Sequence, residues 1–524
     1  MQRTGLFADP TGKHVHDIIL DSCRAHSDTV ALIDTSCTPA RSVTYAEYGD
    51  LVERIARGLI AAHLRPGETV AIFLPNSWEF AASYHAVTLA GGIPTPANPT
   101  YRDRELHYQL EASGAVMLIT DGVLLSGIEL GGLPLLRRVF TTRTHIPGTE
   151  EFASLLRPVS DPLPNLSEDT RLALAALPFS SGTTGLPKGV MLTHSNLVTN
   201  VYQTATANEV GCFVAGDVIL GFLPLYHIYG LTVALNTILG IGGTLVLMPR
   251  FDLEGSLRIV VQHGVTMIPL VPPVMSAYCA VAEKGLFPRQ HRVRYVKCGA
   301  APLPADLARR FPELTGIRIR QGYGMTEASP VTHIGFLEPE LYKPESIGIP
   351  VAHTYCRIVD ERGVDVADGE LGELLIRGPQ VMLGYWKAPE ATDAVMRDGW
   401  YFSGDIARRD DRGLYFIVDR RKEMIKYKGF PVAPAEIEAV LMEHPSIRDC
   451  GVVGKPDDEA GEIPCAFVVL REGGPGSDEI KHELCGYVAE RLTRYKQPRD
   501  VQFVASIPRN PSGKILRREL RKLL

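Results

Sequence analysis

The sequence predicts an α/β protein: a large body of several subdomains with parallel-type sheets and covering helices, followed by a small α+β lid. Three observations carry this prediction. Through roughly the first 350 residues, short apolar β-rich runs alternate with amphipathic stretches, the pattern of parallel strands with helical crossovers. Beyond Gly369 the texture changes to short strands separated by turns. A chain of 524 residues is also too long for one compact core, which predicts two to four domains.

Taken in order, residues 69–74 (TVAIFL) read as a strand, and residues 77–80 with the alanines beyond them as a helix. Residues 116–120 and 244–248 are further short buried strands, and 172–177 (LALAAL) is a buried strand running into a loop. Between Val218 and Met248 there is no Asp, Glu, Lys or Arg, a length that raises the question of a membrane span. Pro224, His227, Asn236, Gly240, Gly242 and Gly243 interrupt it, so a buried strand, loop, helix and second strand explain it better. Residues 372–378 and 413–418 are strands of the second texture. The charged run 419–423 then separates a body, residues 1–420, from a lid, residues 421–524. The lid has its own helix at 434–443, strands at 451–453 and 465–470, and a basic end.

Composition excludes several classes. With 45% hydrophobic and 22% charged residues the chain is ordinary globular material. A net charge of −6 argues against general nucleic-acid binding, which uses basic patches. Nine cysteines are scattered without a CxxC pair, which gives no obvious zinc site and predicts reduced thiols in a cytoplasmic protein. The first residues lack the layout of a signal peptide, and the last four, RKLL, are not the Ser-Lys-Leu peroxisomal address.

The most informative stretch is Ser180, Ser181, Gly182, Thr183, Thr184, Gly185, Leu186, Pro187, Lys188, Gly189. Glycines let a backbone turn several N–H groups toward one anion, and hydroxyls with a lysine ammonium add donors, so the natural ligand is a polyphosphate. A flexible linker is the alternative for any Ser/Gly/Thr run. A linker seldom carries an ordered TTGLPKG and resumes at once with Val190, Met191 and Leu192. The Walker pattern is excluded, because Gly189 and Val190 follow the lysine instead of a Ser or Thr that opens a helix.

Further segments carry chemistry. Tyr323, Gly324, Met325, Thr326 and Glu327 offer an aromatic face for a base, a glycine for close approach and a carboxylate able to hold Mg²⁺. The segment 401–405 (YFSGD) places Asp405 on a turn, where it can accept hydrogen bonds from ribose hydroxyls, and Arg420 can do likewise or meet a phosphate. Residues 508–514 (PRNPSGK) present Lys514 on a Pro/Gly-shaped loop, with a solvated lysine in a basic tail as the alternative. By spacing alone His227 is a satisfied core histidine.

These motifs, in this order, resemble the acyl-adenylate-forming superfamily from about residue 15 to the end, and within it 4-coumarate–CoA ligase-like acyl- and aryl-CoA synthetases. The segments 224–230 (PLYHIYG) and 426–430 (KYKGF) carry the closer likeness. The resemblance implies a two-step ligase: a carboxylate attacks the α-phosphorus of ATP to give acyl-AMP and pyrophosphate, then the CoA thiol displaces AMP. It implies that the 180–189 loop holds the β- and γ-phosphates, Thr326 touches the α-phosphate and Glu327 holds Mg²⁺. Gly299, Ala300 and Ala301 with Gln321, Gly322 and Tyr323 would frame adenine, Asp405 and Arg420 would hold the ribose, and Lys514 would bridge carboxylate and phosphate in the first step. A mobile lid would swing about Lys422, remove Lys514 and bring in Lys426, Lys428, Gly429 and Phe430 beside a pantetheine tunnel, with His227 as a gate.

Such relatives usually carry glutamine where this chain has Pro431, which has neither N–H nor amide, so a phosphate contact there is in question. The acid pocket implied by the resemblance is Tyr229, Val233, Lys297, Ala300, Gly322, Gly324, Pro330 and Val331. Tyr229 beside small glycines suits a flat aromatic acid of 4-coumarate type. Val233 in place of a more polar residue, and Ser329 in place of a usual glycine, keep medium- or long-chain fatty acids open. For Lys297 a structural contact to backbone carbonyls is an equal alternative. An adenylation enzyme loading a carrier protein in trans is a further reading, since no carrier sequence follows Leu524. A luciferase is a third class that these motifs do not distinguish. A degenerate binding protein is disfavoured by intact Lys188, Glu327, Asp405, Arg420 and Lys514.

Overall fold

The protein is described from a computed structural model covering residues 12–166, 169–180, 186–206, 213–428, 430–457, 459–471, 473–474, 476–510 and 513–524. Its largest sheet has nine strands. In spatial order these are Ile349–Pro350, Val331–Ile334, Arg318–Gly324, Tyr295–Cys298, Met267–Leu270, Val218–Gly221, Thr244–Leu247, Val30–Asp34 and Arg41–Thr44. From Arg318–Gly324 to Val30–Asp34 every neighbouring pair is parallel, with antiparallel strands at both edges. A second sheet, Ile93–Pro96, Thr69–Phe73, Ala115–Thr120, Arg138–Thr141 and Glu150–Glu151, is parallel throughout.

The helices that cover these sheets follow from local chemistry. Tyr45–Ala61 starts at Thr44, whose hydroxyl accepts from Glu47 N–H while the Glu47 carboxylate accepts from Thr44 N–H, a capping box. It buries Leu51, Val52, Ile55, Ala56 and Leu59 on one face. Trp78–Leu89, capped by Ser77, is apolar nearly all round, and every one of its residues is buried, as that pattern requires. The charge-free stretch resolves into the strand Val218–Gly221, a π-helical segment Tyr229–Asn236 continuing into Thr237–Gly240, and the strand Thr244–Leu247. Among the described residues no helix is long and apolar enough to cross a membrane. The described cysteines are all free.

Two expectations need correction. The run 172–177 forms a strand only over Leu174–Ala176, and Leu172 is 67% exposed. The segment 401–405 is no turn: Asp405 lies within the long strand Trp400–Arg409. Gly404, at φ +70°, bends the backbone without ending its pairing, which is why the tripeptide Ser-Gly-Asp imitates a turn.

The strand Tyr415–Arg420 pairs with Trp400–Arg409, and the turn at residues 421–424 leads out of that sheet into Ile425–Tyr427. The latter belongs to a separate sheet with Phe430–Val432, Gly461–Leu470, Ile447–Asp457 and Asp500–Phe503. Alternate residues of Gly461–Leu470 feed two small cores. Ala466, Val468 and Leu470 pack with Ile425, Ile437, Leu441 and Leu484, while Cys465, Phe467 and Val469 pack with Ile507 and Leu520. Period-two alternation thus makes one sheet carry apolar layers on both faces.

Candidate active site

A cleft of about 1650 Å³ opens where the nine-stranded sheet, the strand Trp400–Arg409 and the C-terminal unit meet. Its walls bring together residues from every segment that the sequence marked. Ser180, Lys188, His227, Tyr229, Lys297, Gly299, Ala300, Gly322, Tyr323, Gly324, Thr326, Glu327, Pro330, Val331, Arg420, Lys426 and Lys514 all border it.

The described flanks of the phosphate-loop candidate are paired strands. Ser180 pairs with Lys188 and Phe179 with Gly189, so the backbone returns on itself in antiparallel register. Ser181, Gly182, Thr183, Thr184 and Gly185 lie outside the described residues. The Ser180 hydroxyl donates to Glu327 Oε1 at 3.0 Å, and the Tyr385 hydroxyl donates to the same oxygen at 2.9 Å. Among the described residues no donor reaches Oε2. Lys188 Nζ stands 5.8 Å from the Tyr385 ring centroid. Lysine, carboxylate and hairpin foot are thereby collected at one end of the cleft.

Glu327 and Thr326 sit on a single 3₁₀ turn after the strand Arg318–Gly324. A Cβ on Gly324 would stand 2.0 Å from Pro330 O, so only glycine fits where this chain doubles back. Ser329 adopts φ +72°, the left-handed region that explains the usual glycine. Its hydroxyl donates to Gln380 O at 2.8 Å and helps offset that conformation.

Asp405 and Arg420 are register partners on adjacent antiparallel strands, and Arg420 Nε forms an ion pair with Asp405 Oδ1 at 2.8 Å. The Tyr323 hydroxyl donates to Oδ2 at 2.5 Å. Burial works against the Arg420 charge, and Asp405 together with Tyr323, Tyr401 and Glu423 outweighs it, so the guanidinium pKa is raised. The carboxylate is buried behind Arg420 and Tyr323, which themselves border the cleft.

Lys514 enters from the C-terminal unit on a tight turn. Its N–H donates to Asn510 Oδ1 at 2.8 Å, Gly513 N–H donates to Asn510 O, and Arg509 Nη1 donates to Gly513 O at 2.7 Å. Arg509 is in turn held by Asp449 at 2.7 Å. Burial, and then the Arg420 charge, pull the Lys514 ammonium below the ordinary lysine range, against Glu423 and Asp405. A cation in this state gains from any anion that joins it.

His227 is pushed down to about 4 by burial and is neutral near pH 7. Its Nδ1 accepts from Tyr229 N–H at 3.3 Å, which leaves the proton on Nε2. Tyr229 opens the π-helical segment, the kind of irregularity often found at functional sites, and its hydroxyl donates to Lys297 O at 2.9 Å. Lys297 is buried, with Nζ 5.6 Å from the Phe213 ring centroid.

Val233, Ser329, Ala301 and Gln321 stand elsewhere than the sequence reading put them. Val233 is fully buried in the main core, because the π-helical segment runs away from the cleft and only its first residue borders it. Ser329 is likewise buried behind the wall, so neither residue shapes the cavity surface. Ala301 and Gln321 are off the wall, and Gln321 Nε2 donates to Glu345 O at 3.3 Å. Lys426 is exposed at the rim, its N–H donating to Glu462 Oε2 at 2.8 Å. Lys428 is paired with Glu459 and Phe430 packs on Tyr495, both away from the cleft. Gly429 is outside the described residues; Pro431 is described in its backbone, paired with Lys426. Sequence reasoning missed Tyr385, which orients Glu327 from 58 residues away. No local spacing signals it, since it reaches the site only through the pairing of Val190 with Tyr385. It also missed Arg517, whose guanidinium holds Glu423 beside the hinge candidate Lys422 and Glu438 in the lid helix.

Comparison with known proteins agrees with this geometry. A family profile described as AMP-binding enzyme matches residues 19–386, and one described as AMP-binding enzyme C-terminal domain matches residues 436–514. The chain is 39% identical to 4-coumarate--CoA ligase 5 of Oryza sativa subsp. japonica over 99% of its own length and 96% of that protein's. It is 39% identical to 4-coumarate--CoA ligase 3 of Arabidopsis thaliana, covering 98% and 92%. Among solved structures it is similar to the anthranilate CoA ligase AuaEII in complex with anthranoyl-AMP, with a TM-score of 0.87 at 26% identity, covering 98% and 97%. It is also similar to o-succinylbenzoate coenzyme A synthetase of Bacillus subtilis in complex with ATP and magnesium ion. That TM-score is 0.81 at 30% identity, covering 96% and 99%.

Proposed function

The chain belongs to the AMP-binding enzyme family and is an acyl-adenylate-forming acid–CoA ligase, and from that premise we propose that its acid is an aromatic one of the 4-coumarate or cinnamate type. The observation that carries the mechanism is the meeting of Lys514 with Glu327, Arg420 and the Ser180–Lys188 hairpin around one cleft. In our reading the hairpin and Lys188 receive the β- and γ-phosphates, Thr326 the α-phosphate, and Asp405 with Arg420 the ribose. Gly299, Ala300, Gly322, Tyr323 and Gly324 supply the backbone and ring surface that an adenine needs.

The donor set fits magnesium brought in with ATP: Glu327 is a buried oxygen ligand on the cleft wall, with one oxygen fixed by two hydroxyls and the other undonated among the described residues. When bound there, the ion would neutralise phosphate charge. Lys514, short of counter-charge in its buried position, gains most when carboxylate and α-phosphate oxygens converge on it. That is electrostatic stabilisation of charge developing at phosphorus. The neutral His227 imidazole, with its proton on Nε2, stands between the acid pocket and the route we assign to the CoA thiol. We place the hinge at Lys422, on the turn between the two sheets, and we assign Lys426, Lys428, Gly429 and Phe430 to the thioester-forming step. Pro431 leaves that loop without a side-chain amide.

The aromatic reading is supported by Tyr229, whose ring edge lies across from Gly299: a Cβ there would be 3.8 Å from Tyr229 Cε1 and 3.0 Å from Gly322 O. An aromatic ring beside small glycines on the cleft wall suits a flat acid. The sequence argument for an alkyl acid rested on Val233 and Ser329, and both are buried away from the cavity surface. Pyrophosphate release, screened across cinnamates, benzoates and fatty acids of increasing length, tests the proposal. Cinnamate-type acids should respond first, and a response confined to long alkyl acids would sink it. Supplying CoA or a holo-carrier protein to the preformed acyl-AMP identifies the acceptor, with CoA expected.

A further inference from the structure

The helix Val15–Ala25 opens with three metal-type donors for which the ligase chemistry has no use. His14, His16 and Asp17 each bring one ligand atom, all within 4.8 Å of one another. His14 Nδ1 lies 3.3 Å from Asp17 Oδ2, and His16 Nε2 lies 3.8 Å from Asp17 Oδ1. A tetrahedral zinc shell with bonds of about 2.0–2.2 Å sets neighbouring ligand atoms roughly 3.3–3.6 Å apart. Both contacts are near that spacing but end on different Asp17 oxygens, so side-chain rotation is needed to bring the three ligand atoms onto one ion.

Hydrogen bonding fixes which nitrogen is bare. The Thr88 hydroxyl donates to His85 O at 2.8 Å, so toward His16 Nδ1, 3.3 Å away, it can only accept. His16 thus carries its proton on Nδ1, and the neutral ring turns its Nε2 lone pair toward the Asp17 carboxylate, a second acceptor. Among the described residues no donor stands between them. A divalent cation placed between these two acceptors would satisfy both.

The surroundings hold this arrangement in place. His194 Nδ1 accepts from Val15 N–H at 3.0 Å, and its ring stands edge-on to His14, 4.6 Å between centroids. His194 is thereby spent on positioning the helix start and is not a ligand. The positive end of a helix works against a bound cation. Here Asp17 supplies a full negative charge and already accepts from the His14 N–H at 2.7 Å. The Asp17 side chain is 44% exposed, which gives an ion an entry path and room for water ligands.

We propose that His14, His16 and Asp17 form a binding site for a borderline divalent transition ion such as Zn²⁺ or Co²⁺, separate from the cleft that takes ATP. Two imidazoles and one carboxylate select that class over Mg²⁺, which prefers oxygen. The site ties the N-terminal helix to the start of His194–Thr206, the helix that directly follows the hairpin strand Lys188–Thr193.

Visible-absorption titration of the full chain with Co²⁺, without nucleotide and with Mg²⁺ present, tests the site. One Co²⁺ per chain should give ligand-field bands that Zn²⁺ then abolishes. His14→Gln and Asp17→Asn should each weaken binding at least about tenfold. Both should leave Mg-ATP-dependent pyrophosphate release unchanged. Absence of stoichiometric binding overturns the proposal, as does binding indifferent to both substitutions. A thiolate-to-cobalt charge-transfer band would overturn it too, by moving the ion to cysteine.

Discussion

On the body side of the cleft the charged groups are locked into backbone register, whereas on the side of the C-terminal unit they stand on turns and rims. Asp405 and Arg420 face each other across an antiparallel ladder, and Tyr323 closes the remaining carboxylate oxygen. Glu327 is fixed by two hydroxyls from different strands. Lys514 instead hangs from a loop stapled by Asn510 and Arg509, and Lys426 lies exposed. On the proposed mechanism the contrast separates two tasks: permanent recognition of a nucleotide, and charge delivered for one step only. A body-side substitution should therefore damage both half-reactions, and a substitution in the C-terminal unit only one.

The largest expected effect is that of Lys514→Ala. Losing one preorganised donor at the reacting centre should lower the adenylation rate by about 10²–10³. The step from preformed acyl-AMP to thioester should stay within about twofold of wild type, since the cation assists charge that develops only in the first step. Single-turnover assays of the two steps measure this, and equal losses in both would break the comparison. Asp405→Asn comes next, with a loss of about 10–100-fold in both half-reactions. A hydrogen bond to a charged group contributes roughly 1.5–3 kcal/mol, and Arg420 would be left without its partner.

Lys426→Ala should slow thioester formation by about tenfold and leave adenylation intact, the value of one charge-assisted contact at a partly exposed position. Smallest in amplitude at neutral pH is a titration. Because burial and Arg420 pull Lys514 below the ordinary lysine range, its ammonium is lost on the alkaline side earlier than for a free lysine. The adenylation kcat/KM, which reports the free enzyme, should fall as pH rises through that lowered value. Lys514→Arg, whose guanidinium stays charged, should move the alkaline limb upward, and an unmoved limb would assign it to another group.

Much of this arrangement was legible in residue order alone. The loop 180–189, Glu327, Arg420 and Lys514 carry residue types that phosphate chemistry requires, and Ser180, Lys188, Glu327, Arg420 and Lys514 border one cleft. The charge-free stretch read correctly as strand, loop, helix and strand because glycines and Pro224 punctuate it. Other errors share a cause: one-dimensional proximity does not say which side of an element faces a cavity. Val233 is four residues from Tyr229 yet fully buried, since the segment dives into the core. Asp405 looked like a turn residue because a left-handed glycine inside a strand leaves the same local signature as one that ends it. Tyr385 had no signature, as its role exists only through pairing with a strand nearly two hundred residues earlier in the chain.

One feature of the C-terminal unit reaches into steady-state behaviour. Ile425 and Tyr427, the neighbours of Lys426, pack on one face of the strand Gly461–Leu470, and Ile515, next to Lys514, packs on the other. The segments that bear the two lysines are thus carried by a single plate, and both lysines border the cleft. On the mechanism proposed above, a rotation of that plate exchanges Lys514 for the 428–430 loop. If the exchange waits for pyrophosphate to leave, initial-rate plots against ATP at fixed CoA levels should run parallel instead of converging.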